Sequence, residues 1–165
     1  LGVAYDFWEK MPLVKRTRLI QQLQDSQHDL TRLLLSVADN QDWRPAPDQW
    51  SFRYHAAHLA VTDQEAFWPR LTRIASGENP QFEYYRNSQR DFSRHDLRDS
   101  LAAWAVTRRH ILNFVADLPE SKLTLSGVHA TFGVITVLDT LQIMIDHDLE
   151  HLSELKSFIR VRPKF

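Results

Sequence analysis

An all-α four-helix bundle is the fold class this sequence predicts, on three observations. Four segments of about 20 residues repeat apolar side chains at spacings of three, four or seven, which marks a helix face rather than strand alternation. The chain has 165 residues, 43% apolar and 25% charged, the composition of one globular domain spanning 1–165. Proline, glycine and asparagine separate the segments, and no internal repeat, low-complexity tract or linker divides them.

The first helix is predicted over about Val14 to Val37, with Leu19, Leu23, Leu30, Leu33, Leu34 and Val37 on one stripe. Asp39 to Trp50, holding Asn40, Pro45, Pro47 and Asp48, reads as a connection. Ser51 has the chemistry of a cap for the second helix, whose apolar positions are Ala57, Leu59, Ala60, Val61, Ala66, Phe67 and Leu71. Pro69 should end or kink it, with helix resuming through Arg70 to Ala75. Gly77, Asn79 and Pro80 open a long connection, from Gly77 to Phe92, expected to pack over a bundle end or an interface. Ser93-Arg94-His95-Asp96 has the form of a capping box. A third helix should follow to Leu118, with Leu97, Leu101, Trp104, Ile111, Phe114 and Val115 inward. Leu123 to Val134 suits a short extended or looping segment. The last helix is predicted from about Thr136 to Arg160, with Val137, Leu141, Met144, Asp148, His151, Leu155 and Phe158 at heptad spacing.

Composition narrows the chemistry. Lys plus Arg is 20 against 21 Asp plus Glu, a net charge of −1, so phosphate neutralisation gives no basis for nucleic-acid binding. With no cysteine, the chain builds no disulfide, Cys-ligated zinc site or thiol nucleophile. No apolar run reaches the ~18 residues of a membrane span. Leu1 to Val14 carries Asp6, Glu9 and Lys10 and lacks the pattern of a signal peptide. A cytoplasmic location is the expectation.

The informative motif is His147-Asp148-Leu149-Glu150-His151. Histidines at i and i+4 share a helix face, and their rings can converge on one metal ion. They lie near Met144, Leu155 and Phe158 and should point inward, where unpartnered imidazoles are unfavourable. The plain alternative is a pair of exposed or hydrogen-bonded histidines. His55 and His58 supply candidates for a third ligand. His58 has apolar helical neighbours, whereas His55 is nearer the helix start and is expected to be partly solvated. Three neutral imidazoles with open positions would form a reactive site, and zinc, nickel, iron and manganese are all admissible.

Trp50-Ser51-Phe52-Arg53-Tyr54-His55-Ala56-Ala57-His58-Leu59 together with His147-Asp148-Leu149-Glu150-His151-Leu152 resembles the DinB/YfiT-like superfamily. The approach His129-Ala130-Thr131-Phe132-Gly133-Val134-Ile135-Thr136 is similar to that family's entry into its fourth helix. The resemblance implies a bundle of up-down-down-up topology, often dimeric, with a divalent metal on His58, His147 and His151. It also implies a thiol-dependent S-transferase or a hydrolase, in which the metal activates a low-molecular-weight thiol or water toward a small-molecule substrate. Two positions depart from the pattern: Ala130 replaces a common proline, and Glu154 a common glutamine. Glu154 shares the histidine face and is a candidate outer acceptor, fourth ligand or general base, with a solvated carboxylate as the alternative. His55 and His129 compete for the metal site, and Asp63, Asp148 and Glu154 are candidate acceptors for the outer ring nitrogens. A homodimer is expected through a seam on the first or third helix. A metal- or ligand-binding bundle without turnover is the alternative function.

Two further groups stand out. Arg86, Arg90, Arg94 and Arg98 recur every four residues, either to hold a substrate carboxylate or as a solvated face interleaved with Asp91, Asp96 and Asp99. Trp50, Trp68 and Trp104 either wall a pocket or fill core.

Overall fold

Pro12 opens the first helix, α1 (Pro12–Leu35), at a position where its missing N–H has no helical partner to lose. The computed structural model describes residues 11–163. Most of the Leu1 to Val14 segment lies outside the described residues. Ser51 caps α2 (Phe52–Thr62), its side chain accepting from the Tyr54 N–H at 3.4 Å.

Pro69 neither ends nor breaks the second rod. The turn before it, Asp63–Phe67, widens to π geometry, with the Trp68 N–H donating to the Asp63 carbonyl. Pro69 then falls in the first turn of α3 (Trp68–Ala75), where its ring and absent donor are tolerated. α2, the π turn and α3 therefore form one rod.

The long connection is anchored by β1 (Gln81–Phe82), which pairs in parallel with β2 (Ser126–His129). β2 pairs antiparallel with β3 (Gly133–Thr136). Gly127 permits the close passage: a Cβ there would lie 2.9 Å from the Pro80 carbonyl oxygen.

α4 (Leu97–Asp117) begins later than the Ser93 box predicts. Asp96 is the cap, accepting from the N–H groups of Arg98 at 2.9 Å and Asp99 at 3.2 Å. The Ser93 N–H instead donates to Asp91. α5 (Val137–Val161) starts at a reciprocal capping box between Thr136 and Asp139, an arrangement worth about 1 kcal/mol.

Four rods pack as a bundle, α1 chiefly against α5 and α2 against α4. Its core has two halves. One gathers Leu19 and Leu23 of α1 with Leu71 and Ile74 of α3, Ile111 and Val115 of α4, and Leu141 and Met144 of α5. The other gathers Leu30 and Leu34 with Phe52 and Leu59 of α2, Leu97 and Trp104, and Leu152 and Leu155. α1 and α5 thus run from the first half to the second, while the middle two rods run the other way.

Between the halves lies a buried polar layer. Arg108 donates to Asp63 through Nε at 2.7 Å and Nη2 at 3.1 Å, and to Asp148 through Nη1 at 2.7 Å and Nη2 at 3.1 Å. Trp104 adds an indole N–H to Asp63 at 3.0 Å, and Ser26 a hydroxyl to Asp148 at 2.6 Å. The layer ties all four rods together. Burial opposes the Arg108 charge, but the two carboxylates more than offset this and raise the guanidinium above its ordinary value. No described helix is long and apolar enough to cross a membrane.

Candidate metal centre

Two adjacent turns of α5 present His147 and His151, and the facing turns of α2 present His55 and His58. The Nε2 atom of His147 lies 3.0 Å from that of His58 and 3.2 Å from that of His151. His58, His147 and His151 therefore offer one nitrogen each to a common point. Two imidazole nitrogens bound about 2.0–2.1 Å from one ion, at angles of about 90–110°, lie about 2.9–3.4 Å apart. The spacing fits shared ligation of a divalent ion.

Hydrogen bonding alone does not satisfy this cluster. If His147 Nε2 carries the proton, it can donate to only one of its two neighbours. If it is the acceptor, two donors compete for its lone pair, and the protonated Nδ1 is buried without a partner. A cation at the shared point accepts all three lone pairs.

The surroundings prepare those lone pairs. His58 Nδ1 lies 2.5 Å from Asn87 Oδ1, while the Asn87 amide nitrogen donates to Thr62 and to Tyr85. Those donations orient the Asn87 oxygen toward His58, so Nδ1–H donates and Nε2 is left free to ligate. Asn87 comes from the long connection, which forms a wall of the site. His151 Nδ1 lies 3.3 Å from His55 Nδ1. Trp50 stacks against the His151 ring, with centroids 6.3 Å apart.

His55 is fully buried, contrary to the partly solvated position expected for it. It stands behind His151, in a second group with His151 and Glu154. Its Nε2 has no hydrogen-bond partner among the described residues. The Glu154 carboxylate lies 4.0 Å from His55 Nε2 and 3.8 Å from His151 Nδ1, on the outer side of the ring rather than beside the Nε2 cluster. Burial, then Glu150, raises the Glu154 carboxyl. Asp63 and Asp148 serve Arg108 and, among the described residues, bond no histidine, in contrast to their expected role as imidazole acceptors. His129 does not join the cluster: its Nδ1 accepts from the N–H groups of Thr131 and Phe132.

Burial keeps the imidazoles neutral. It pushes His55 and His147 down to about 3 and His151 to about 2, with neighbouring histidines adding to each shift. His58 is lowered by burial, with Asn87 opposing. Neutral rings are the form a metal requires.

The cluster faces an open cavity of about 600 Å³, also lined by Trp50, Phe67, Arg70, Tyr85, Asn87 and His129. Of the expected tryptophans, only Trp50 lines it; Trp104 bonds Asp63 and Trp68 packs on Phe114. The arginine series does not form a helical stripe, because residues 83–96 are not helical. Arg90 pairs with Glu65 and Arg98 with Asp39, while Arg86 stacks on Tyr84 at the cavity edge.

The family model described as the DinB superfamily matches residues 22–155. Among solved structures, the chain is similar to YfiT from Bacillus subtilis, described as "a probable metal-dependent hydrolase with an unusual four-helix bundle topology". Identity is 20%, coverage is 88% of this chain and 86% of that one, and the TM-score is 0.76. At that identity the likeness speaks to the fold. No curated protein matches the chain.

Proposed function

The chain belongs to the DinB superfamily, and from that premise we propose that it is a divalent-metal-dependent hydrolase whose ion is held by His58, His147 and His151. The observation that carries this reading is the convergence of three Nε2 atoms, spaced 3.0 and 3.2 Å from the central one, on an open cavity. A closed structural site would have a fourth protein ligand in place of that opening. When bound, such an ion supplies Lewis acidity for activating water at neutral pH.

The chain's own residues divide the remaining work. Asn87 holds His58 in the ligating tautomer. His55 accepts from His151 Nδ1–H and so directs the His151 lone pair toward the cluster. Of the roles open to Glu154, its placement favours that of a positioning residue: its carboxylate, 4.0 Å from His55 Nε2, faces that ring's Nε2–H and favours the tautomer in which His55 Nδ1 accepts. The cavity walls orient a small-molecule substrate over the cluster.

A thiol-dependent S-transferase is the second reading. It is favoured by a cavity of about 600 Å³, large enough for a low-molecular-weight thiol beside an electrophile. We also read the chain as a single domain and a cytoplasmic homodimer; exposed Leu35 on α1 and Val106 on α4 support a seam on those helices. The test is a metal-loaded preparation, with zinc, nickel, iron or manganese, assayed against ester and amide panels with and without added thiols. Turnover that follows metal content supports the proposal. Loading without turnover in any arm would favour the non-catalytic metal-binding bundle.

A further inference from the structure

The cavity holds a buried cation for which the metal centre has no use. Arg70, in the first turn of α3, is only 8% exposed and lines the cavity. Its guanidinium lies over the Phe67 ring, 5.6 Å from the centroid. Among the described residues it has no ion pair and no hydrogen-bond acceptor, unlike Arg108, which two carboxylates hold. A guanidinium stays protonated under all ordinary conditions. Burying one without a counter-charge is costly, and an anion entering the cavity would offset that cost.

A second donor faces the same space. His129 is 2% exposed and lines the cavity from β2, which packs against α3. Its Nδ1 accepts two backbone N–H groups, so the proton sits on Nε2. That Nε2–H is buried with no partner among the described residues. The ring is neutral in this arrangement, so the two groups together carry a single positive charge. Asp146 and Glu150 also line the cavity, but both are exposed, where water screens them.

We propose that Arg70 and His129 form an anion subsite, and that the substrate carries one carboxylate on an apolar body. Guanidinium matches a carboxylate through paired N–H donors. One positive charge balances a monoanion better than a phosphate dianion. Phe67, Trp50, Phe132 and Ile143 supply apolar wall for the rest of the molecule. The inference deepens the metal-dependent reading, since it makes this cavity the substrate site of that centre.

Benzoate is a suitable probe, titrated calorimetrically into the native protein, with benzamide as its neutral isostere and inorganic phosphate as the second anion. Benzoate should bind at least tenfold more tightly than benzamide or phosphate. Arg70→Gln should weaken benzoate at least tenfold without changing metal content. His129→Gln should weaken it severalfold. Arg70→Lys, which keeps the charge without the fork, should fall between native and Arg70→Gln. His147→Ala should bind benzoate within threefold of native. Equal affinity for benzamide overturns the subsite even if Arg70→Gln fails to fold. Native-like binding by Arg70→Gln overturns it too, as does benzoate binding lost in His147→Ala and kept in Arg70→Gln, which would place the anion on the metal. Tighter binding of phosphate overturns the carboxylate assignment. Unchanged metal content in His147→Ala would instead count against the metal reading, leaving the benzoate comparison to stand separately.

Discussion

Replacing Arg108 by Met removes the centre of the polar layer. Four charge-assisted hydrogen bonds of 2.7–3.1 Å disappear. Asp63 and Asp148, with side chains 1% and 0% exposed, are left facing each other. Their remaining donors are Trp104 and Ser26. Removing one partner of a buried ion pair costs about 3–5 kcal/mol. For a chain of this length that corresponds to a fall in Tm of about 6–20 °C at pH 7. The pH dependence gives a sharper test. Burial already holds the folded-state Asp63 carboxyl above its unfolded value, and losing the opposing guanidinium raises it further. A group raised on folding contributes stability that is present below its unfolded pKa and lost as pH rises through the folded one. The deficit of Arg108→Met should therefore be largest at pH 7 and shrink toward pH 4. Thermal unfolding followed by circular dichroism measures it. Adding Asp63→Leu and Asp148→Leu should recover much of the loss, because no buried charge then remains. A Tm within 2 °C of native at pH 7, or a deficit that grows on acidification, would refute the reasoning.

Asn87→Ala should weaken metal binding about 10–100-fold, the usual effect of losing an outer partner of a ligating histidine; Asn87→Asp, which keeps an acceptor, should lose less, both read by competition with a chelating dye. His55→Ala should weaken affinity over a similar range but keep one ion per chain by elemental analysis. The metal-free protein should lose stability as pH falls from 6.5 toward 3. His55, His147 and His151 are depressed to about 3, 3 and 2, so in that window the unfolded chain binds more protons. Thermal scans in chelator from pH 7.5 to 5 check the sign. Sedimentation at micromolar concentration should show a dimer, and Val106→Glu should shift it toward monomer.

Helical periodicity made the four rods legible, because each buries one stripe. Element starts were less so. Ser93 and Asp96 both satisfy a capping pattern, and only tertiary contacts select Asp96, whose other carboxylate oxygen accepts from Gln41 at 3.0 Å. Pro69 reads as a break because sequence periodicity does not reveal a π turn upstream. HxxxH and His58 could be read directly, as histidines on helix faces that the fold brings together. Arg108 left a signal in the spacing Leu101, Trp104, Arg108, Ile111, Val115, which puts a charge in the middle of an apolar stripe. Arg70 sits similarly among Phe67, Leu71 and Ile74. Asn87 left none, since its place opposite His58 depends on how β1 pins the connection against β2. The burial of His55 is not legible in the sequence, because proximity to a helix start says nothing of what covers that end, here Trp50 and Phe158.

Metal stoichiometry of purified native protein beside His58→Ala, His147→Ala and His151→Ala bears most directly on the metal centre. Elemental analysis after dialysis against trace divalent metal should give one ion per native chain. Each variant should fall well below that, with helix content by circular dichroism largely kept, because the apolar faces of the bundle are untouched. Native-like metal content in all three variants would contradict the metal-dependent reading. Full affinity in His58→Ala together with loss of the ion in His55→Ala would show that the ion sits instead on the group formed by His55, His151 and Glu154.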